Sequence, residues 1–393
     1  MKTVRMGVIG LGVMGSAHAF HIYKGLVEGM KLTAVCDTDK ERRRWGEEKL
    51  GKVHVFDDPS LLLSSGKVDA VLIATPHPSH PEIAMEAFRK GIHVLSEKPA
   101  GIDVYTVEKE NEEAKKSGVV FGIMYNQRTD PLFQSLRDYY RSGMLGELIR
   151  FDWVITNWFR TQAYYDSGSW RATWQGEGGG ILMNQCPHNL DIWQWITGMP
   201  ARIWASCKTS GYHDIQVEDT AYILAEYENG ATASFTASTA EYPGTNRIEF
   251  AGTKGKAVIE DAKLTVTLIN DSTESISKNS AESMPVIPVG TMEQYQSEKE
   301  SGHIGILNDF CKAVRTGSPL LAPGTEGIKG LSIANAAYLS NWTGKWVELP
   351  LDGKKYLKKL QDIQKEYSFI KPDKQPEKQM ISGEYMDRWN IRW

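Results

Sequence analysis

Three short stretches of the chain carry residue types that can do chemistry together: Gly10-Leu11-Gly12-Val13-Met14-Gly15, Ser96-Glu97-Lys98-Pro99 and Gly179-Gly180-Ile181-Leu182-Met183-Asn184-Gln185-Cys186-Pro187-His188. The first has the spacing of a dinucleotide-binding turn. Gly10 permits a tight bend, Gly12 lets the backbone approach a pyrophosphate, Gly15 allows close helix packing, and the helix N-terminus at Val13 and Met14 attracts the phosphate charge. In the second, a lysine ammonium aimed at a carbonyl or alkoxide oxygen stabilises the negative charge that develops as hydride moves. In the third, His188 can take or give a proton. A nucleotide cradle, an alkoxide stabiliser and a proton carrier are the parts needed for hydride transfer to or from an alcohol carbon, so the residues read as an oxidoreductase.

Those residues need a scaffold that brings them to one edge. Residues 4–9 read as a short buried strand, followed by the glycine turn and a helix to about Gly29. A strand over 31–36 ends at Asp37, twenty-two residues beyond Gly15. An aspartate there can accept from both ribose hydroxyls and repels a 2′-phosphate, which favours NAD, while Arg42 and Arg43 keep NADP possible. The alternation continues with helices at 40–50, 59–65, 81–90 and 103–117 and strands at 53–56, 70–74, 93–95 and 119–124. This is a doubly wound parallel sheet with ligands at its carboxyl edge. Thr75-Pro76-His77-Pro78-Ser79-His80 and Ser96-Glu97-Lys98-Pro99 both fall on that edge, and Pro99 restricts the backbone of Lys98.

After about residue 128 the rhythm changes. A helix at 131–142 precedes strands at 147–160, 202–209, 220–227, 231–238, 246–251, 256–260 and 263–269, which predict an α+β domain with a large open antiparallel sheet. Helices are expected at about 180–197, 303–316 and 325–341, and a long loop over 271–300. The expected division is a Rossmann domain at 1–126, a substrate-binding and oligomerisation domain at 127–353, and a tail at 354–393 that ends in aromatic residues. With few helices to cover both faces of the second sheet, a homodimer or homotetramer is expected.

The 393 residues allow two or three domains, and 45 basic against 49 acidic residues leave no basic arm for nucleic acid. Cys36, Cys186, Cys207 and Cys311 form no pair with metal-ligand spacing, so no metal is expected and reduced thiols of a cytoplasmic protein are. Glycines interrupt the first apolar run, which argues against a leader peptide, and no other run approaches the ~20 residues of a membrane span.

The chain resembles the glucose–fructose oxidoreductase / inositol dehydrogenase (Gfo/Idh/MocA) family. The resemblance rests on the Gly10 to Gly15 turn, Ala74-Thr75-Pro76 with His80, Glu97-Lys98-Pro99, Tyr125-Asn126-Gln127-Arg128, Trp170-Arg171, Gly178-Gly179-Gly180, His188, and His303 with Asp309-Phe310. It implies NAD as cofactor and a sugar or polyol substrate between the domains, with Lys98 and His188 assisting proton movement. It also implies that Thr75, Pro76, His80, Glu97, Asn126 and Arg171 face the cofactor, and that Tyr125, Arg128, Trp158, Trp170 and His303 face the substrate. Tyr164, Tyr165, Arg171 and Glu177 are available for sugar hydroxyls. Many relatives carry aspartate where this chain has Asn184, and an amide can orient an imidazole but cannot stabilise its charge. On a continuous helix Asp191 would share a face with Asn184 and His188 and supply the missing carboxylate, but Pro187 interferes with that continuity. Two other readings fit the same residues: an NAD-retaining enzyme that cleaves a glycosidic bond through a keto intermediate, and a sugar- or NAD-sensing protein without catalysis.

Overall fold

The strand–helix alternation of the first 124 residues becomes a six-stranded parallel sheet in the computed structural model, which describes residues 3–295 and 302–367. Its strands are β1 (Val4–Ile9), β2 (Met30–Cys36), β3 (His54–Phe56), β4 (Ala70–Ile73), β5 (His93–Ser96) and β6 (Phe121–Ile123), in the order β3-β2-β1-β4-β5-β6. The order reverses between β1 and β4, and such a switch point opens a crevice at the carboxyl ends. Around the sheet lie α1 (Val13–Tyr23), α2 (Lys40–Lys49), α3 (Pro59–Ser64), α4 (His80–Arg89) and α5 (Val104–Ser117). Asp39, Asp58 and Asp103 cap α2, α3 and α5 with their side chains, each satisfying backbone N–H groups. Helix α1 starts instead at Gly12, with no side-chain cap. Its first amides are left for a ligand.

The second half continues with α6 (Pro131–Arg141), β7 (Leu148–Ile155), α7 (Gln162–Asp166), α8 (Ile181–Asn184), α9 (Pro187–Thr197), β8 (Arg202–Lys208), β9 (Thr220–Glu226), β10 (Thr232–Ser238), β11 (Asn246–Gly252), β12 (Gly255–Glu260), β13 (Lys263–Ile269), α10 (Thr273–Asn279) and β14 (Val289–Tyr295). It closes with α11 (Gly302–Thr316), α12 (Gly327–Thr343), β15 (Val347–Glu348) and α13 (Gly353–Glu366). Nine strands form one sheet, β14-β13-β12-β11-β7-β10-β9-β8-β15. Its hairpins are antiparallel as their turns predict, but β7 and β10 pair in parallel. The helical excursion over 162–197 lies between β7 and the next strand, so no hairpin constrains that neighbour pair. The inward residues Phe151, Trp153 and Phe235 bury against α6 and α9, with Phe151 stacked on Trp193 at 6.2 Å and Phe133 tilted on Trp153 at 5.9 Å.

Two further expectations change. The stretch 271–300 is not all loop: it contains α10 and the edge strand β14, whose exposed residues lack the alternation that marks a half-buried strand. The helix expected over 180–197 is two helices, because Pro187 has no N–H to donate to Met183. The tail expected from 354 begins as α13, which lies on α5 and stacks Tyr356 on Trp342 at 5.7 Å. Its aromatic end lies outside the described residues. Helix α11 returns to the first sheet, where Asn308 accepts from the Glu28 amide at 3.1 Å, and Ile123 donates to the Ala322 carbonyl at 3.0 Å. Among the described residues no helix is long and apolar enough to cross a membrane, and no group of His, Cys, Asp and Glu is arranged to hold a metal ion.

Candidate active site

The glycine turn has the shape its sequence demands. Gly10 has φ +91°, and a Cβ there would lie 2.6 Å from the Ala74 carbonyl oxygen. A Cβ on Gly15 would meet the Gly10 carbonyl oxygen at 1.8 Å, so helix and turn touch through the missing side chain. At Gly12 the nearest atom is only the Arg42 guanidinium, 3.5 Å away, which leaves a cradle above the turn. Asp37, at the end of β2, is buried and accepts from the Leu11 amide at 2.7 Å and from the Asp39 amide at 2.8 Å. Arg43 is engaged by the Asp37 and Thr38 carbonyls, while Arg42 stands 3.7 Å from the Asp37 carboxylate, half exposed. At the end of β6 the Asn126 side-chain oxygen is buried without a hydrogen-bond partner. The turn, the acid and this open acceptor fit a dinucleotide.

On the same carboxyl edge, Glu97 joins Oε1 to the His18 ring at 2.7 Å and accepts from the Lys98 amide at 3.0 Å. Burial opposes its charge, but the hydrogen-bonded His18, then His303 and Lys98, hold its pKa down to about 2. Lys98 Nζ donates to the Asn184 main-chain carbonyl at 2.8 Å, which joins the first domain to the end of α8. Desolvation lowers the Lys98 pKa, against the opposing pull of Glu97 and Glu177. His80 is not placed as a cofactor ligand. Its two ring nitrogens face the Pro99 and Thr75 carbonyls at 2.9 and 2.7 Å, so it brackets the two edge loops. Thr75 bonds Ser79, and Pro76 beside it is exposed on the edge.

From the second domain, the segment after β7 folds back over that edge. His77 Nδ1 faces the Glu177 carbonyl at 3.1 Å, and Trp170 packs edge-on to the His77 ring at 5.6 Å. Arg171 stacks on Trp170 and Tyr164 and donates to the Tyr164 hydroxyl at 3.0 Å. Tyr164 also takes a bond from Gln185 at 3.1 Å and donates to the Asn184 side-chain oxygen at 3.3 Å. The Asn184 amide donates to Glu177. Asn184 therefore does not orient His188, because the break before Pro187 separates their faces. His188 lies edge-on to Tyr125 with Nδ1 buried and unpartnered. Burial pushes its pKa far down, and Lys98 adds to the effect.

Several of the expected site residues are engaged by the protein itself. Asp191 cannot support His188: it holds Arg128 through two bonds of 2.8 and 2.7 Å, and Arg128 also reaches Glu326 and the Leu321 carbonyl at 3.0 Å. Arg128 is fully buried in this pairing. The Tyr125 hydroxyl points to the Gly327 carbonyl, and the Tyr165 hydroxyl is occupied by Thr239. Trp158 is buried beneath Arg160. His303 sits behind Glu97, its ring 5.4 Å from His18, where desolvation lowers its pKa to about 3. The triple glycine is a packing joint. Added Cβ atoms would meet Ile102 at 2.5 Å from Gly178, the Tyr338 hydroxyl at 2.1 Å from Gly179 and the Glu218 carbonyl at 1.8 Å from Gly180. Buried Glu218 then accepts from the Gly180 and Leu182 amides at 2.9 and 3.0 Å. His18 and Glu218 had no readable signal, since a histidine inside a helix and an acid before a strand ordinarily belong to packing.

A doubly wound sheet with this glycine turn, a buried acid at the end of β2, and a lysine that acts on a buried histidine at the carboxyl edge are the parts of a dinucleotide-dependent oxidoreductase. Comparison with known proteins agrees. A model of an oxidoreductase family with an NAD-binding Rossmann fold matches residues 4–125, and one of the GFO/IDH/MocA C-terminal domain matches residues 133–258. The chain belongs to the GFO/IDH/MocA family of NAD-binding oxidoreductases. It is 27% identical over 339 residues to a myo-inositol 2-dehydrogenase of Thermotoga maritima, covering 85% of this chain and 95% of that one. It is 26% identical over 366 residues to a D-glucoside 3-dehydrogenase of Escherichia coli, covering 88% and 97%. Among solved structures it is similar to the WlbA dehydrogenase from Bordetella pertussis in complex with NADH and UDP-GlcNAcA, with a TM-score of 0.75, 25% identity, and 89% and 100% of the two chains covered.

Proposed function

We propose that this protein is an NAD-dependent dehydrogenase or reductase acting on a secondary alcohol or ketone of a sugar, glycoside or cyclitol. The observation that carries the reading is the pairing of Lys98 with the chain segment that presents His188, through the 2.8 Å bond to the Asn184 carbonyl at the carboxyl edge of the sheet. The inositol and glucoside dehydrogenases among its relatives support the substrate class. Gly10, Gly12, Gly15, Val13 and Met14 would hold the pyrophosphate, Asp37 the adenosine ribose, and Asn126 would meet the cofactor through its open side-chain oxygen. Bound NAD supplies the acceptor or donor of hydride at its nicotinamide ring.

The chain's own residues manage the proton and the charge. In oxidation, the alcohol O–H proton passes to neutral His188 while the C–H electron pair leaves as hydride, and Lys98 stabilises the oxygen as negative charge gathers on it. Burial keeps His188 neutral and so ready to accept. Trp170 offers an apolar face to a sugar ring, and Tyr164 and Arg171 offer hydroxyl partners. A screen of sugars, glycosides and inositols with NAD, and of the matching ketones with NADH, tests the reading by absorbance of the reduced cofactor. NADH binding with no turnover of any member in either direction would refute it.

A further inference from the structure

Asn184 stands between two buried charges. Its main-chain carbonyl accepts from Lys98 Nζ at 2.8 Å, and its side-chain amide donates to Glu177. The Glu177 side chain is 2% exposed and fully bonded: its second oxygen accepts from the Ala172 amide at 2.6 Å, and Arg171 lies 4.0 Å from the first. Through its carbonyl, Glu177 also meets His77 at 3.1 Å, so one residue pins the returning loop to the sheet edge. We propose that Glu177 is a positioning residue for the reaction, holding Asn184 in place beneath Lys98 and supplying the negative charge that keeps Lys98 an ammonium ion. The inference rests on the role given to Lys98 above.

Electrostatics separates this role from mere packing. Lys98 is faced by Glu97, Glu177, Arg171 and Cys186, and by the histidines His77, His80, His188 and His303, all held below the usual histidine range by burial. Glu97 is already committed to His18 and to the Lys98 backbone. Desolvation and Arg171 both favour a neutral lysine, and Glu177 is the carboxylate on the second-domain side that opposes them. A neutral amine could neither donate charge-assisted bonds nor stabilise an alkoxide. The same residue lifted by burial would be costly to ionise alone, and Arg171, the Ala172 amide, Asn184 and Lys98 together offset that cost.

The experiment is competitive acetylation of the full-length protein with trace acetic anhydride across pH, followed on the Lys98 peptide by mass spectrometry. Glu177→Gln removes the charge and keeps the shape, and should lower the Lys98 titration midpoint by about one pH unit. Glu177→Asp keeps the charge and should leave the midpoint near that of the parent while reducing turnover. Asn184→Asp, which adds a carboxyl beside Glu177, should move the midpoint upward and decides the matter if Glu177→Gln fails to fold. On any substrate that the screen identifies, the alkaline limb of kcat/KM should shift with the midpoint. A purely structural Glu177 would lower turnover at every pH and leave both in place; an unmoved Lys98 midpoint in Glu177→Gln and Asn184→Asp overturns the proposal. Labelling needs no substrate, so a failed screen would refute the dehydrogenase reading alone.

Discussion

Asp37, proposed to select the cofactor, also holds the fold. Its carboxylate accepts from the amides of Leu11 and Asp39 at 2.7 and 2.8 Å and is only 7% exposed. Leu11 is inside the glycine turn, so Asp37 braces the loop that cradles the phosphates. Hydrogen bonds to a charged group contribute about 1.5–3 kcal/mol each, and an amide left buried without a partner costs about 1–3 kcal/mol. Asp37→Ala should therefore destabilise the protein by about 2–4 kcal/mol. Asp37→Asn retains one good acceptor and should cost about half as much. For the cofactor, losing the ribose acceptor should weaken NADH by about 10- to 100-fold, and losing the charge should relieve repulsion of the NADPH 2′-phosphate. Urea denaturation gives the first quantity, and fluorescence titration with NADH and NADPH gives the second. Unchanged stability of Asp37→Ala would refute the bracing, and NADPH binding as tight as NADH in the parent would refute the selectivity argument.

Lys98→Met keeps the stem without the charge and should reduce turnover by about 10²-fold or more while NADH still binds; near-normal turnover would remove Lys98 from the mechanism. His188→Ala should nearly abolish turnover. Asp191→Asn, in contrast, should leave the pH–rate profile in place but destabilise by about 3–5 kcal/mol, because it breaks the buried pair with Arg128; a shifted acid limb without loss of stability would reverse that assignment. Glu110 in α5 is buried with both oxygens unpartnered, and burial raises its pKa to about 8. Between about 4.3, its unfolded value, and about 8 the folded chain retains a proton that the unfolded chain has released, so stability falls as pH rises; Glu110→Gln should flatten that slope and gain about 2–4 kcal/mol at pH 7, as denaturation at several pH values would show. On the open face of the second sheet Tyr222 and Leu224 remain half exposed, so light scattering at micromolar concentration should give a dimer or tetramer, and a monomer would contradict it.

Much of the fold is legible because short-range physics fixes it. In the first domain, buried strands such as Ala70–Ile73 appear as continuous apolar runs. The parallel pairing of β7 with β10 is not legible, since it depends on where a long excursion returns. Nor is β14: an edge strand exposed along its length has no buried face to impose a period. The same distinction divides the site. Residues fixed by a local motif, such as the glycine turn, Asp37 and Lys98, can be found from spacing, whereas the partner of each charge depends on tertiary approach. Arg128, expected at the substrate, and Asp191, expected beside His188, pair with one another instead, and Asn184 turns from His188 toward Glu177 because Pro187 restarts the helix between them.

The charges left at the crevice also bear on what can enter it. Around Lys98 lie Arg171, the acids Glu97 and Glu177, and His77 and His188, both pushed toward the neutral form by burial, with Lys98 contributing. Arg171 has Glu177 4.0 Å away, and Glu97 and Glu177 both act on Lys98. In the proposed reaction a neutral polyol would exchange hydrogen bonds with Tyr164, Arg171 and Lys98 and lay an apolar ring face near Trp170. Charge would develop on it only as hydride departs, when Lys98 would gain most from being close, and that would favour the transition state over the bound alcohol.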